Sequence, residues 1–200
     1  MPHDDHTELH VYDFDGTLFR SPQLPSWWPR KRVWWIDPRS LNRPCVPDVP
    51  GPDWWVEPVV SSARKSISNP NVWAVLMTGR NARYGGFSYR VPELLHQIGL
   101  NFDEVHLTDT SDTKGFKKRK LIDLLRRHPH VSVAQFWDDR SNFLEDYVQL
   151  VESTGRRAIP HLVEVTPHDP ECGPEDIEDT SNKPPKNIQV NGYLYQRVGD

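Results

Sequence analysis

Three short clusters in this chain carry residue types that together can move a phosphoryl group. The first is Asp13 and Asp15, one residue apart and followed at once by Gly16 and Thr17. The second is Thr78-Gly79-Arg80, and the third is Asp138-Asp139-Arg140. Two neighbouring carboxylates repel each other unless a cation or a shared proton holds them. A hard divalent cation with oxygen ligands answers that repulsion, which points to Mg²⁺. Between the second and third clusters, Lys114, Lys117, Lys118 and Lys120 offer an ammonium at or near a helix start. One carboxylate to attack phosphorus, a metal and a lysine to offset charge, and a second carboxylate to carry the proton make a phosphoryl-transfer site.

Such clusters need a frame that brings them together. Leu9–Phe14 reads as a short apolar strand that ends in the first pair. Val72–Met77 reads as a strand ending at Thr78, and Val131–Trp137 as one ending at Asp138. Glu104–Leu107 and Ala158–Val165 complete five strands. Helices are expected over 54–67 with Asp53 as N-cap, Val91–Ile98, Phe116–Arg127 and Phe143–Val151. Strands alternating with helices give an α/β domain with a parallel sheet, whose carboxyl edge collects ligands. All three clusters lie at that edge.

Two segments fall outside this alternation. Residues 19–53 carry eight prolines, which forbid a long helix or central strand, and Trp27, Trp28, Trp34 and Trp35, with Trp54 and Trp55 just beyond. The basic residues Arg20, Arg30, Lys31, Arg32, Arg39 and Arg43 lie there too, and cations with aromatic faces suit single-stranded nucleic acid. Most of the tryptophans are expected to pack this irregular loop onto the core. The insert is too short and proline-rich for a folded cap, so an open site is expected. After Thr166, an acidic, proline-rich composition reads as a linker, with a hairpin around Asn191-Gly192 over 188–198. This gives a domain over 1–166 and a tail over 167–200.

The chain has 200 residues and a net charge of −4, so no global basic field advertises nucleic acid or membrane. No stretch approaches membrane-spanning length, and the polar start lacks the apolar core of a signal peptide. Two cysteines, Cys45 and Cys172, lie far apart in sequence. Free thiols in a reducing compartment, and hence a cytoplasmic location, are expected.

Asp-Phe-Asp-Gly-Thr, Met-Thr-Gly-Arg, a following lysine and Trp-Asp-Asp-Arg resemble motifs I to IV of the haloacid dehalogenase (HAD) superfamily, in order, over residues 9–145. The resemblance implies a Rossmann-like core and a phosphoaspartate mechanism. Asp13 would be the nucleophile, and Asp15 general acid and then general base. Thr78 would bond the transferring oxygens. Lys117 would bridge Asp13 and the phosphate, chosen over Lys114 because Phe116 can anchor the helix start. Mg²⁺ would rest on Asp13, the Asp15 backbone carbonyl and Asp139, with Asp138 in support.

Finer likenesses are to the phosphatase-like domain of Swiss Army Knife RNA repair proteins and to the phosphatase domain of bacteriophage polynucleotide kinase/phosphatase. The string Asp-Phe-Asp-Gly-Thr-Leu-Phe-Arg-Ser-Pro, the later Trp35-Ile36-Asp37-Pro38 and the Phe116-Lys117 pair carry the first. Asp-Asp-Arg-Ser carries the second, although Asp138 stands where the repair proteins would show Glu. These likenesses imply 3′-phosphorylated polynucleotide ends as substrate, with Gly79, Arg80 and Arg20 on the substrate side. A small-metabolite phosphatase of the same superfamily, and an idle fold that binds nucleic acid or protein through the insert, are the rival readings.

Overall fold

The computed structural model describes residues 6–30, 33–177, 187–190 and 193–196. Five parallel strands form one sheet in the order β3-β2-β1-β4-β5. They are β1 (Glu8–Tyr12), β2 (Val72–Asn81), β3 (Glu104–Thr108), β4 (Val133–Asp138) and β5 (Arg157–Leu162). Helices α1 (Glu57–Ser68), α2 (Phe87–Gln97), α3 (Thr113–Arg127) and α4 (Ser141–Glu152) connect and flank them. This is the expected Rossmann-like α/β core, with turns rich in Trp and Pro following the first strand.

The strands show why the sheet has two distinct faces. Side chains alternate along a strand. Leu9, Val11, Val75, Met77, Ala134 and Phe136 pack with residues of α3 and α4. Tyr12 and Leu76 pack instead with α1, α2 and the insert. Strand β1 lies between β2 and β4, with Tyr12 opposite both Leu76 and Trp137. The three clusters therefore leave adjacent strands at nearly the same height.

Helix boundaries depart from the sequence reading in three places, one of them α3, which starts at Thr113, three residues before Phe116, with Asp112 as N-cap. Helix α2 starts at Phe87, four residues earlier than expected, behind a left-handed Gly86. Pro92 argues against that start, yet the buried set Phe87, Arg90, Val91, Leu94 and Leu95 keeps the helical period. Helix α1 is preceded by Val56 rather than capped by Asp53, which lies in a 3-10 turn over Pro52–Trp54. Pro58 fits its first turn, where a missing N–H leaves no bond unmade.

The insert has little regular structure, so its carbonyls need donors from elsewhere. Arg90, buried on α2, donates to the carbonyls of Leu41, Pro47 and Asp48. Residues 166–172, read as the start of a linker, lie along the insert. Arg20 donates to the Thr166 carbonyl, His168 N–H to the Arg20 carbonyl, and Glu171 N–H to the Cys45 carbonyl. The His168 ring stacks on Trp54 at 3.8 Å and bonds Asp53. Cys45 and Cys172 are joined in a disulfide across 127 residues, which corrects the expectation of free thiols. Sequence distance concealed the pairing, because the insert and the tail meet only in the fold. Strands β6 (Asn187–Val190) and β7 (Tyr193–Gln196) pair antiparallel, and the Asn191-Gly192 turn lies outside the described residues. No helix among the described residues is long and apolar enough to cross a membrane.

Candidate active site

Alternation along β1 continues past its end and sends Asp13 to the α3/α4 face, beneath Leu9 and Val11. Asp138 follows Ala134 and Phe136 to the same face. Lys117, one turn into α3, reaches both: its Nζ donates to Asp13 Oδ1 at 2.8 Å and to Asp138 Oδ2 at 2.9 Å. All three are almost fully buried. Lys114 turns outward to Asp146 at 2.8 Å. Burial alone would depress the Lys117 ammonium, but the Asp13 and Asp138 charges reverse this and hold it protonated.

The carboxylates have more negative charge than one lysine offsets. Oxygens of Asp13, Asp138 and Asp139 lie within 4.8 Å of one another. Burial, reinforced by the Asp138 charge and opposed by Lys117, pushes Asp13 up to about 7, and Asp139 rises to about 6, again through burial first. Asp13 Oδ2 is buried without a hydrogen-bond partner. The Arg140 guanidinium approaches all three groups at 3.6 to 3.7 Å, too far for a hydrogen bond, and stacks on Phe143 at 4.0 Å. An unpartnered buried oxygen and a cation drawn toward three carboxylates fit a hard divalent ion with oxygen ligands. Gly16 permits the crowding: its φ is +70°, and a Cβ there would meet Asp139 Oδ2 at 2.8 Å.

The opposite sheet face carries the second half of the site. Thr78 follows Leu76 along β2; Arg80 lies where the β2–β3 register shifts, and its side chain bonds Asp15 and the insert. Arg80 is 1% exposed and grips Asp15 in a fork, Nε to both carboxylate oxygens at 2.9 and 3.0 Å and Nη2 to Oδ1 at 2.6 Å. Ser21 Oγ donates to Asp15 Oδ1 at 2.6 Å, and Thr78 Oγ1 to Oδ2 at 3.3 Å. Burial would raise Asp15, but the Arg80 charge and these bonds hold it below the usual carboxylate range. Arg80 Nη1 turns the other way, to Ser40 Oγ and the Trp35 carbonyl in the insert.

Thus Asp13, Lys117, Asp138 and Asp139 form one group, and Asp15, Thr78 and Arg80 another, on the two sides of the β1 exit. Gly79 lies between Thr78 and Arg80, with a Cβ position only 3.0 Å from Thr113 Cγ2. Two expected substrate contacts sit differently. Arg80 is buried with its donors engaged by Asp15 and the insert, and Arg20 holds the Thr166 carbonyl. Ser21, Ser40 and Arg140 join the site without having been assigned roles from sequence. Arg140 and Ser21 stood in quoted strings, whereas nothing local marks Ser40. In the insert, Arg39 pairs with Asp37 and donates to the Asp176 carbonyl, and Arg43 pairs with Asp48. Lys31 and Arg32 lie outside the described residues.

Solved structures share this architecture. A chain in the "Structure of the Pnkp1/Rnl/Hen1 RNA repair complex" matches at TM-score 0.53 and 15% identity, over 80% of this chain and 43% of that one. This chain thus spans less than half the length of that relative. The HAD domain of effector protein Lem4 from Legionella pneumophila matches at TM-score 0.50 and 14% identity, over 81% of this chain and 88% of that one. At these identities the likeness shows the fold. The model of HAD domain family 1 in Swiss Army Knife RNA repair proteins matches residues 26–176, a range that begins after Asp13 and Asp15. With that match spanning most of its length, the chain belongs to the HAD domain family found in Swiss Army Knife RNA repair proteins.

Proposed function

We propose that this protein is a Mg²⁺-dependent phosphatase that hydrolyses terminal phosphates of polynucleotides, 3′-phosphates foremost, through a phosphoaspartate on Asp13. The observation that carries the reading is the buried Asp13 carboxylate, with Oδ1 held by Lys117 and Oδ2 without a hydrogen-bond partner, the Arg140 guanidinium standing 3.7 Å away. Asp13, the Asp15 backbone carbonyl and Asp139 would hold the metal, with Asp138 supporting both it and Lys117. When bound, a divalent ion supplies the positive charge that offsets the carboxylates and the phosphoryl oxygens.

Asp13 attacks phosphorus, forming the Asp13–phosphorus bond as the bond to the leaving oxygen breaks. Asp15 gives that oxygen its proton. A water, deprotonated by Asp15, then breaks the acyl phosphate and restores Asp13. Lys117 holds Asp13 in line and offsets charge on the phosphoryl group. Thr78 donates toward the same oxygens. The Arg80 fork favours ionised Asp15, the form needed to activate water. For the first half-reaction Asp15 must carry a proton, so the approach of the leaving group has to loosen that fork. Arg80 accordingly acts as a positioning residue for Asp15.

The polymer end is supported by the family and by the absence of a folded cap domain between β1 and α1, where the described insert is short 3-10 turns. Phosphate release from an aryl phosphate should require Mg²⁺ and vanish in Asp13→Asn; equal activity in the two proteins would overturn the enzyme reading. A 3′-phosphorylated oligonucleotide should be a better substrate than its 5′-phosphorylated counterpart and than mononucleotides. No preference for the oligonucleotides would instead favour a small-metabolite phosphatase.

A further inference from the structure

Trp35 alone of the eight tryptophans is exposed, at 39%, and it lies against Arg80, the partner of Asp15. The 3-10 turn Trp34–Ile36 explains the contrast with its neighbour. Three residues per turn send consecutive side chains in different directions. Trp34 points inward, 1% exposed, bonds the Pro22 carbonyl through Nε1, and packs with Trp28 near the Cys45–Cys172 disulfide. That anchor fixes the turn and presents Trp35 outward, flanked by exposed Val33 and Ile36.

One side of the Trp35 ring is already covered. The Arg80 guanidinium carbon lies 5.0 Å from its centroid, and the same guanidinium grips Asp15. Since Arg80 is buried, the exposure of Trp35 belongs to the remainder of the ring. A single guanidinium therefore separates an exposed indole from the residue that handles the leaving oxygen. A cation beneath an aromatic ring leaves the far face able to stack, and every nucleobase offers a π-face.

We propose that Trp35 is a specificity-determining residue, whose outward face stacks on the base of the nucleotide carrying the phosphate. This rests on the reading of the site as a phosphatase for polynucleotide ends. The substrate it selects is a single-stranded end whose terminal base is free to leave its neighbour. Recognition is indifferent to base identity, because stacking reads a π-face and not a hydrogen-bonding edge.

Two 3′-phosphorylated oligonucleotides, identical except that one ends in an abasic residue, test this. Wild type should favour the base-bearing end by about 5- to 100-fold in kcat/KM. That ratio should fall toward one in Trp35→Ala and be largely kept in Trp35→Phe. A wild-type ratio near one, or a ratio unchanged in Trp35→Ala, overturns the proposal. A ring that merely shields the Arg80–Asp15 pair would slow both substrates together and leave the ratio intact. If wild type releases phosphate from neither oligonucleotide nor from an aryl phosphate, it is the phosphatase reading that fails. The same ratio, measured as dissociation constants by fluorescence anisotropy on Asp13→Asn protein with and without Trp35→Ala, then decides the stacking role by itself.

Discussion

Lys117 and Lys114 sit three residues apart on one helix, yet only one faces buried charge. Removing Lys117 leaves Asp13 and Asp138 without their shared cation. Lys117→Met should therefore lower kcat on an aryl phosphate by about 10²- to 10³-fold, as for loss of an electrostatic donor at a reacting group. Lys114→Ala removes a surface ion pair with Asp146 and should leave kcat within a factor of about two, since such pairs contribute little. Steady-state kinetics of the two variants, beside their melting temperatures, check the assignment; greater damage from Lys114→Ala would reverse it. Arg80 tests the other half of the site. A lysine cannot reproduce its fork to both oxygens of Asp15. Arg80→Lys should lower kcat by about 10²-fold, the lower range for a displaced acid-base group, with KM for the aryl phosphate changed far less. A pure rise in KM would restore Arg80 to the substrate-binding role expected from sequence. Asp13, Asp15, Thr78 and Asp139 were legible because each motif is local. The pairing of Asp15 with Arg80 was not, because it spans 65 residues, nor was the Arg80–Ser40 bond, which spans 40.

At the scale of elements, the five strands and four helices were readable from apolar runs and helical periodicity, apart from the starts of α1, α2 and α3 and the polar end of β2. The insert was readable as irregular but not as a fixed structure. Its order comes from distant donors such as Arg90, from buried Trp28, Trp34, Trp54 and Trp55, and from a covalent tie to the tail. Cys45→Ser should destabilise the fold by about 2 to 4 kcal/mol, the usual range for a bridge closing a long loop. At this chain length that is a fall in Tm of roughly 5 to 15 °C, readable by calorimetry with and without reductant. An unchanged Tm would show that the insert holds its place without the bond. His168 makes the same contact pH-dependent. Burial lowers its pKa, but the bonds to the Asp169 carbonyl and the Asp53 carboxylate raise it above the usual 6.5. Its contribution is therefore complete below that value and is lost as pH rises through the raised one. The Tm gap between wild type and His168→Phe should be widest in mild acid and narrow toward alkaline pH. A gap that widens with pH would contradict the charged pairing.

The whole molecule places two half-sites on opposite faces of one sheet and joins them at the exit of its central strand. Period-two alternation sends Asp13 and Asp138 toward α3 and α4 and Thr78 the other way, and the register shift after Thr78 leaves Arg80 bonded to Asp15 and the insert. The fold supplies this division before any substrate arrives. It also explains why the insert matters for chemistry: its Ser40 and Trp35 carbonyl hold the guanidinium that holds Asp15. The central claim is that Asp13 becomes covalently phosphorylated. Rapid acid quenching during turnover with Mg²⁺, followed by peptide mass spectrometry, tests it most directly. A phosphoryl adduct is expected on the peptide containing Asp13, formed within one turnover and absent in Asp13→Asn. Full turnover with no adduct, or an adduct on another residue, would contradict it.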